Sequence, residues 1–329
     1  MNIAVLGSGA WGTALALHLH AHGHTVTLTS RRLEQAAELS TRRENDCLPG
    51  FPLPDDLQIG HQNAPVLLEA ELAVLAAPTI GLRGLAREVA EALPSAWRLV
   101  AAVAVCKGLE PETGRLPVEI LAEELPDLPT GVLGGPNHAA GIAAGQPAAA
   151  TLAFPEGVEL APRLQEELSG GTFRLYLSED PLGVSLGGSL KNVYALAAGC
   201  TDGLGLGDNA KAALLTRALA EMTRIGKALG GRATTFAGLS GVGDLMATCY
   251  GSWSRNRRFG ESLARPGSGE EPGGFVEGAR AALEYRERCR SAGVDAPLVE
   301  EVAALVEGAE RPEEALRRLL ARPLRREGS

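Results

Sequence analysis

A glycine-rich turn near the N-terminus constrains the fold of this chain more than any other feature. The pattern G-x-G-x-x-G occupies Gly7, Gly9 and Gly12, after the apolar run NIAVLG and at the start of the helical pattern AWGTALALHLHAHG. In this context the first glycine allows a tight turn, the second lets the backbone approach a pyrophosphate, and the third allows close helix–strand packing. The motif therefore predicts a dinucleotide-binding βαβ unit rather than a purely structural turn.

The end of the second predicted strand, TVTLTS, indicates which dinucleotide is preferred. An NAD-specific site places Asp or Glu here to bind the ribose 2′-hydroxyl, and that carboxylate would repel the 2′-phosphate of NADP. This chain instead has Arg31 and Arg32, with no acidic residue before Glu34. We therefore expect NADP(H) to be preferred, with NAD(H) still possible. The alternative is that Arg32 only begins a solvated helix and that Arg31 is the single contact.

The order of the predicted elements divides the chain into two domains. Up to residue 178, apolar runs such as ELAVLAAP and WRLVAAVAVC alternate with helical patterns, and PAAATLAF and TFRLYLS complete the series. Continuous apolar strands between helices are typical of a parallel sheet covered on both faces. From Pro181 onward the patterns are helical. The sequence therefore predicts an α/β fold, with a Rossmann-type, doubly wound, mostly parallel sheet in residues 1–180 and an all-helical domain in residues 181–329.

Composition argues against several other classes of protein. A net charge of −9 argues against general affinity for nucleic acid or anionic membranes. No apolar stretch approaches the ~18 residues that span a bilayer, and MNIAVLGSG lacks the features of a signal peptide. The five cysteines are scattered without a C-x-x-C pair, which predicts neither a disulfide framework nor a metal site. We therefore expect a cytoplasmic protein without a bound metal.

The helical half contains most of the residues that could carry chemistry. Lys191 lies in GGSLKNVYALAAG beside an apolar helical stripe, where it either faces a substrate or snorkels to solvent. Asp244 begins a helix in LSGVGDLMATC, where an N-cap role is the alternative. The segment SWSRNRRFG holds donors that suit a phosphate or carboxylate ligand, the alternative being a solvated basic loop. These donors are Ser254, Arg255, Asn256, Arg257 and Arg258.

Together these segments resemble one family, the bacterial NAD(P)-dependent sn-glycerol-3-phosphate dehydrogenases. The matching motifs run in the family's order from residue 7 to about residue 278 and include CKGLEPETG, GGPNHAA, LKNVYALAAGCTDGLGLGDNAKAALLTRALAEMTRIG, TFAGLSGVGDLMATC, SWSRNRRFG and FVEG. The resemblance implies reduction of dihydroxyacetone phosphate to sn-glycerol 3-phosphate for glycerophospholipid synthesis, and a homodimer. Two other hypotheses stay open. One is another two-domain NADP reductase, such as a ketopantoate reductase, and the other is a non-catalytic NADP-binding redox sensor.

The resemblance also implies roles for individual residues. Lys191 corresponds to the catalytic lysine that donates a proton to the C2 oxygen of dihydroxyacetone phosphate, and Lys107 to a second active-site lysine. Asp244 completes the catalytic set, and we expect it to orient Lys191 or the substrate hydroxyl groups. The substrate-binding positions are Lys107, Gly135, Asn137, Lys191, Asp244, Ser254, Arg255 and Asn256. The cofactor-binding positions are Gly7, Gly9, Ala10, Trp11, Gly12, Arg31, Arg32, Lys107, Ala139, Arg255 and Glu277.

Three departures from the family pattern are visible, and none removes a catalytic position. His138 and Gly141 stand where the family has an aromatic and an acidic residue, and we interpret His138 as a packing substitution. The segment between RRFG and FVEG is short and rich in Gly and Pro, so residues 265–274 are predicted to form a mobile surface loop. LARPGSG lacks the family's usual glycine after the leucine. A basic cluster is predicted to be a solvated helix end and tail: Arg318, Arg322, Arg325 and Arg326.

Overall fold

The first half of the structure is an eight-stranded sheet with helices on both faces. The computed structural model describes residues 1–265 and 276–323. The strands are β1 (Asn2–Leu6), β2 (Thr25–Thr29), β3 (Gln58–Gly60), β4 (Leu72–Leu75), β5 (Ala101–Ala104), β6 (Thr130–Gly134), β7 (Ala148–Ala153) and β8 (Phe173–Ser178). The helices among them are α1 (Ala10–Ala21), α2 (Leu33–Arg42), α3 (Asn63–Glu69), α4 (Thr79–Ala92), α5 (Pro117–Glu124), α6 (Ala139–Ala143) and α7 (Ala161–Leu168).

The strand order creates a crevice at the carboxyl edge of the sheet. Neighbouring strands follow the order β3-β2-β1-β4-β5-β6-β7-β8, and every pair is parallel except β6 and β7. The chain leaves β1 toward β2 on one side and returns to β4 on the other, so the loops diverge at this switch point. The predicted doubly wound, mostly parallel sheet is confirmed. The sequence predicts seven of the strands and misses β3, whose three residues are too few to show a pattern.

Apolar residues explain why the central strands form a two-sided sheet. Strands β4 and β5 are buried at every position and contain only Leu, Ala and Val. Helices α1, α6 and α7 contribute to the core on one face, and α3, α4 and α5 to the core on the other. Because both faces are covered, these strands read as continuous apolar runs rather than as alternating patterns.

From Pro181 onward every described element is a helix, as predicted. The helices are α8 (Pro181–Gly203), α9 (Gly207–Ala228), α10 (Ala233–Phe236), α11 (Asp244–Tyr250), α12 (Arg255–Ala264), α13 (Glu277–Ser291), α14 (Pro297–Val306) and α15 (Pro312–Leu320). A π-helical turn, Leu239–Gly243, leads directly into α11. The last strand ends at Ser178 and α8 begins at Pro181, so the predicted boundary near residue 180 falls at the junction. That this junction separates two domains stays a prediction.

Helix α8 is the centre of the helical region. It is buried along nearly its whole length, and α9, α11, α12, α13 and α14 pack around it. A Cβ on Gly260 would lie 2.0 Å from the carbonyl oxygen of Leu196, and one on Gly199 would lie 1.9 Å from that of Arg257. The backbones of α8 and α12 therefore touch. This close approach brings Asn256, in the first turn of α12, into contact with Asn192, the residue after Lys191.

Several predicted surface features lie partly outside the described residues. Beyond Arg265, the predicted loop 265–274 lies outside the described residues. Arg325 and Arg326 also lie outside them. Near the end of α15, Arg318 forms an ion pair with Glu301 at 2.8 Å. All five cysteines are free. Within residues 1–265 and 276–323, no helix is both long and apolar enough to cross a membrane.

Candidate active site

The glycine-rich turn joins β1 to α1 at the carboxyl edge of the sheet. Gly7 has a φ of +126°, which L side chains rarely adopt. A Cβ on Gly12 would lie 2.0 Å from the carbonyl oxygen of Gly7, so glycine is required for the helix to start this close to the strand. A Cβ on Gly9 would have no neighbour within 4 Å. The turn therefore leaves open space before the first turn of α1, which contains Ala10 and Trp11 and whose N–H groups favour an anion.

A buried asparagine that the sequence analysis missed holds this turn in place. Asn45 is 3% exposed, and its Nδ2 donates hydrogen bonds to the carbonyl oxygen of Ser8 at 2.9 Å and to Thr13 Oγ1 at 2.7 Å. One amide therefore contacts both the turn and α1. Asn45 lies between α2 and β3, where no motif or periodicity marks it, so the sequence carries no signal for this role.

The two arginines after β2 are exposed. Ser30 is buried and its Oγ donates to Gln35 Oε1 at 2.8 Å, whereas Arg31 and Arg32 face solvent. Arg32 is also the residue directly before the first turn of α2. In the part of the chain that the structure describes, neither guanidinium forms an ion pair or hydrogen bond. Both are therefore free to bind an anion at the carboxyl end of β2.

Two lysines and one carboxylate form the centre of the site. Lys191 on α8 donates from Nζ to Asp244 Oδ1 at 2.6 Å and to Thr248 Oγ1 at 2.7 Å. Lys107, in the loop after β5, has its Nζ 2.8 Å from Asp244 Oδ2 and donates to the carbonyl oxygen of Gly135 at 2.6 Å. Asp244 is 1% exposed. The structure thus brings together all three predicted catalytic residues, and adds Thr248.

Two alternatives that the sequence leaves open are wrong. Lys191 does not snorkel to solvent, because the residue is 6% exposed and its ammonium contacts Asp244. Asp244 does not cap α11, because Gly243 occupies the N-cap position and the carboxylate contacts both lysines. These contacts agree with the expectation that Asp244 orients Lys191.

Burial changes the acid–base properties of the site. It is the main cause that lowers the pKa of Lys107 to about 8; the Lys191 ammonium lowers this pKa further, while Asp244 opposes the shift. Burial also raises the pKa of Glu277, against the effects of Arg255 and both lysines. Burial also raises the pKa of the neighbouring Cys106 thiol to about 12, which disfavours the nucleophilic thiolate.

A chain of amide groups links the residues behind Lys191. Asn256 Nδ2 donates to Asn192 Oδ1 at 2.8 Å, and Asn192 Nδ2 donates to Glu277 Oε2 at 3.3 Å. The backbone N–H of Gly278 donates to Asn256 Oδ1 at 2.9 Å. The chain joins α8, α12 and α13. It places the predicted substrate residue Asn256 beside the predicted cofactor residue Glu277.

The predicted donors of SWSRNRRFG take different positions around the start of α12. Ser254 is 3% exposed and caps the helix, with Oγ accepting from the N–H of Arg257 at 3.3 Å. Asn256 is buried and Arg255 exposed. Arg257 is instead paired with Asp202 at 2.7 Å, so it is a structural residue. The alternative of a solvated basic loop is wrong, because residues 255–264 form a helix.

The loop after β6 supplies the other predicted substrate contacts. Gly135 has a φ of +117° and its carbonyl oxygen holds Lys107. Both polar atoms of the Asn137 side chain are buried and have no hydrogen-bond partner within the described chain, which suits a ligand. His138 stacks on Trp253, which agrees with its interpretation as a packing substitution, and Ala139 begins α6. No group of three or more His, Cys, Asp or Glu side chains among the described residues could hold a metal ion.

Comparison with known proteins identifies the family. Residues 2–158 match the family model for the NAD-dependent glycerol-3-phosphate dehydrogenase N-terminus, and residues 180–317 match the model for its C-terminus. The chain belongs to the NAD-dependent glycerol-3-phosphate dehydrogenase family. It is 47% identical over 325 residues, 98% of both chains, to glycerol-3-phosphate dehydrogenase [NAD(P)+] of Thermus thermophilus. It is 46% identical to the enzyme of that name from Sinorhizobium fredii, over 99% of this chain and 97% of that one.

A solved structure of a glycerol-3-phosphate dehydrogenase has the same fold. The enzyme from Coxiella burnetii superposes with a TM-score of 0.89 at 34% identity, covering 97% of this chain and 98% of that one. The resemblance drawn from the sequence motifs is therefore confirmed. Membership of the glycerol-3-phosphate dehydrogenase family also sets aside the ketopantoate reductase hypothesis.

Proposed function

We propose that the chain reduces dihydroxyacetone phosphate to sn-glycerol 3-phosphate with NADPH, uses NADH less well, and catalyses the reverse reaction. The observation that carries the proposal is the buried Asp244 between the ammonium groups of Lys107 and Lys191, at 2.8 and 2.6 Å. This centre lies at the carboxyl edge of the sheet that also carries the glycine-rich turn. Relatives named glycerol-3-phosphate dehydrogenase [NAD(P)+] support the same reaction.

The two lysines are suited to the reduction of a ketone. When bound, NADPH supplies the hydride, and the ketone oxygen then requires a proton and nearby positive charge. We assign proton donation to the Nζ of Lys191, which Asp244 and Thr248 hold in place. Lys107 supplies the second positive charge, and the lowering of its pKa to about 8 by burial moves its titration toward neutral pH. Asp244 fixes the separation of the two ammonium groups.

The start of α12 is suited to the phosphate of the substrate. Its first turn provides N–H groups, the Ser254 hydroxyl and the exposed guanidinium of Arg255, with Asn256 buried beside them. The Asn137 amide, which has no hydrogen-bond partner among the described residues, and the carbonyl oxygen of Gly135 lie in the loop after β6. We propose that these groups hold the substrate at both ends, which fixes the face of the ketone that receives the hydride.

The glycine-rich turn fits the pyrophosphate of a dinucleotide, because the space at Gly9 is open. We propose that the exposed guanidinium groups of Arg31 and Arg32 bind the 2′-phosphate of NADPH. The further cofactor contacts carried over from the resemblance are Ala10, Trp11, Lys107, Ala139, Arg255 and Glu277. A cytoplasmic homodimer and a supply of glycerophospholipid precursor are also proposed on the resemblance, and sedimentation velocity tests the dimer.

A comparison of cofactors tests the reaction and the arginines together. Loss of reduced-nicotinamide absorbance is followed with dihydroxyacetone phosphate and either NADPH or NADH, for the wild type and for Arg31→Ala/Arg32→Ala. Each lost charge-assisted contact should lower NADPH affinity by about ten- to a hundredfold, while NADH kinetics stay unchanged. Arg163→Ala, at an exposed arginine on α7, is the matched control. Absence of turnover with either cofactor would overturn the proposed function, whereas equal use of both would remove only the role of the arginines.

A further inference from the structure

Two aromatic rings connect the loop after β6 to the turn before α12. His138 comes from the loop after β6, and Trp253 from the turn between α11 and α12. Their ring centroids are 4.7 Å apart, with an angle of 22° between the ring planes. The pair is a stacked contact between side chains that lie more than a hundred residues apart in the chain.

Each ring lies one residue away from a candidate substrate contact. His138 follows Asn137, whose buried amide has no partner in the described chain. The carbonyl oxygen of His138 accepts a hydrogen bond from the N–H of Ile142 at 3.1 Å, at the start of α6. Trp253 precedes Ser254, the buried N-cap of α12. Since consecutive Cα atoms are ~3.8 Å apart, the position of the stack constrains both contacts directly.

The turn that carries Trp253 is folded tightly around the indole. A Cβ on Gly251 would lie 2.6 Å from Trp253 Cε2, so the ring packs directly on the backbone there. The carbonyl oxygen of Gly251 accepts hydrogen bonds from the N–H of Ser254 at 3.1 Å and from Arg257 Nε at 3.3 Å. Trp253 remains 40% exposed, which places it at the rim of the site.

We propose that the His138–Trp253 stack is a positioning pair that holds Asn137 and Ser254 at the spacing the substrate requires. The inference rests on the proposed reduction of dihydroxyacetone phosphate. A flat ring at position 138 is what the pair requires, because the contact is made by two nearly parallel faces. Neither ring is needed for proton or hydride transfer, and neither lies in the glycine-rich turn.

The expected effect follows from the strength of stacked aromatic pairs. Loss of one such contact corresponds to roughly a two- to tenfold change in an equilibrium constant. We expect this change in KM for dihydroxyacetone phosphate, because the spacing of its two anchors is lost. KM for NADPH should stay within about twofold, since its proposed contacts at the turn and at β2 are untouched, and kcat should fall less than KM rises.

Kinetics of five variants test the pair. His138→Ala, His138→Gln and Trp253→Ala should each raise KM for dihydroxyacetone phosphate, whereas His138→Phe should restore the wild-type value. His138→Ala/Trp253→Ala should be no worse than either single variant, because the two rings share one contact. Trp97→Ala, at a tryptophan that is 78% exposed, is the matched control. Equal rises in both KM values, additive effects of the two alanine variants, or failure of His138→Phe to rescue would each overturn the proposal.

A binding measurement separates this inference from the proposed reaction. The emission of Trp253 is obtained as the difference between the wild type and Trp253→Phe, and is titrated with sn-glycerol 3-phosphate. For His138→Ala, the same emission is the difference from His138→Ala/Trp253→Phe. We expect His138→Ala to bind sn-glycerol 3-phosphate roughly two- to tenfold more weakly than the wild type, at an unchanged thermal midpoint. If the wild type bound sn-glycerol 3-phosphate without turnover, the proposed reaction would be contradicted. The comparison of affinities would still test the role of the pair. Equal affinity in both proteins, or no binding in the wild type, would overturn the role of the pair.

Discussion

Replacing Lys107 by methionine is expected to change how the stability of the chain depends on pH. Methionine has a similar length and no charge, so it removes an ammonium group that burial disfavours. The pKa of Lys107 lies at about 8, below its ordinary value of 10.5. Between these two pH values the unfolded chain binds one more proton at this group than the folded chain does. The free energy of unfolding of the wild type therefore rises with pH across this window.

The size of the effect follows from the two pKa values. A fall from 10.5 to about 8, at about 1.36 kcal/mol for each pH unit, corresponds to about 3 kcal/mol. The wild type carries this cost in full below pH 8 and loses it as the pH approaches 10.5. Lys107→Met has no such group. The unfolding free energy of Lys107→Met minus that of the wild type should therefore be about 3 kcal/mol larger at neutral pH than at high pH.

Urea unfolding followed by circular dichroism, near neutral pH and near the ordinary pKa of lysine, measures this shift. Lys227→Met is the control, because Lys227 is exposed on α9 and its ammonium stays in water in both states. The variant should also lose most dehydrogenase activity at every pH. A variant-minus-wild-type difference that is the same at both pH values would refute the idea that Lys107 is a desolvated ammonium.

Two further predictions concern the nucleotide turn and the loop that carries Lys107. Gly9→Ala should weaken NADPH binding, measured by calorimetry, at least tenfold at an unchanged thermal midpoint, because the new Cβ would occupy the open space proposed for the cofactor. Gly84→Ala is the control, because a Cβ at Gly84 also has no neighbour within 4 Å, and this variant should bind NADPH normally. Arg83→Met should cost about 3 kcal/mol of stability near neutral pH, because it leaves the buried Glu110 without its guanidinium partner at 2.7 Å, whereas Glu124 keeps Arg87 at 3.0 Å. Arg83 lowers the pKa of Glu110, so this cost should shrink as the pH falls below about 4.5, and a cost independent of pH would contradict the ion pair.

Much of the fold was predictable because the sheet is buried on both faces. Continuous apolar runs such as β4 and β5 identify strands of this kind, and the glycine-rich turn fixes the first βαβ unit. The direction of β7 was not predictable, since an apolar run reads the same in a parallel and an antiparallel strand. β3 pairs with β2 over only three residues, and its position depends on that pairing rather than on its own sequence.

The site was predictable in its residues more than in its contacts. The motifs mark Lys107, Lys191 and Asp244 one at a time, but only folding brings one carboxylate between both ammonium groups. Thr248 could have been found, because it lies four residues after Asp244 and therefore on the same face of α11. Asn45 could not, since its role depends on a tertiary contact with the glycine-rich turn.

The burial of α8 has a consequence for altering the enzyme. Lys191 lies on a helix that is buried along nearly its whole length, with α9, α11, α12, α13 and α14 among the helices packed on it, so neighbouring positions on α8 have little freedom to change. Adjustments of substrate range are then confined to the rim, at the loop after β6 and the turn before α12. A designer seeking a larger or smaller phosphorylated ketone should vary these two segments together, and leave α8, which holds the proposed proton donor, untouched.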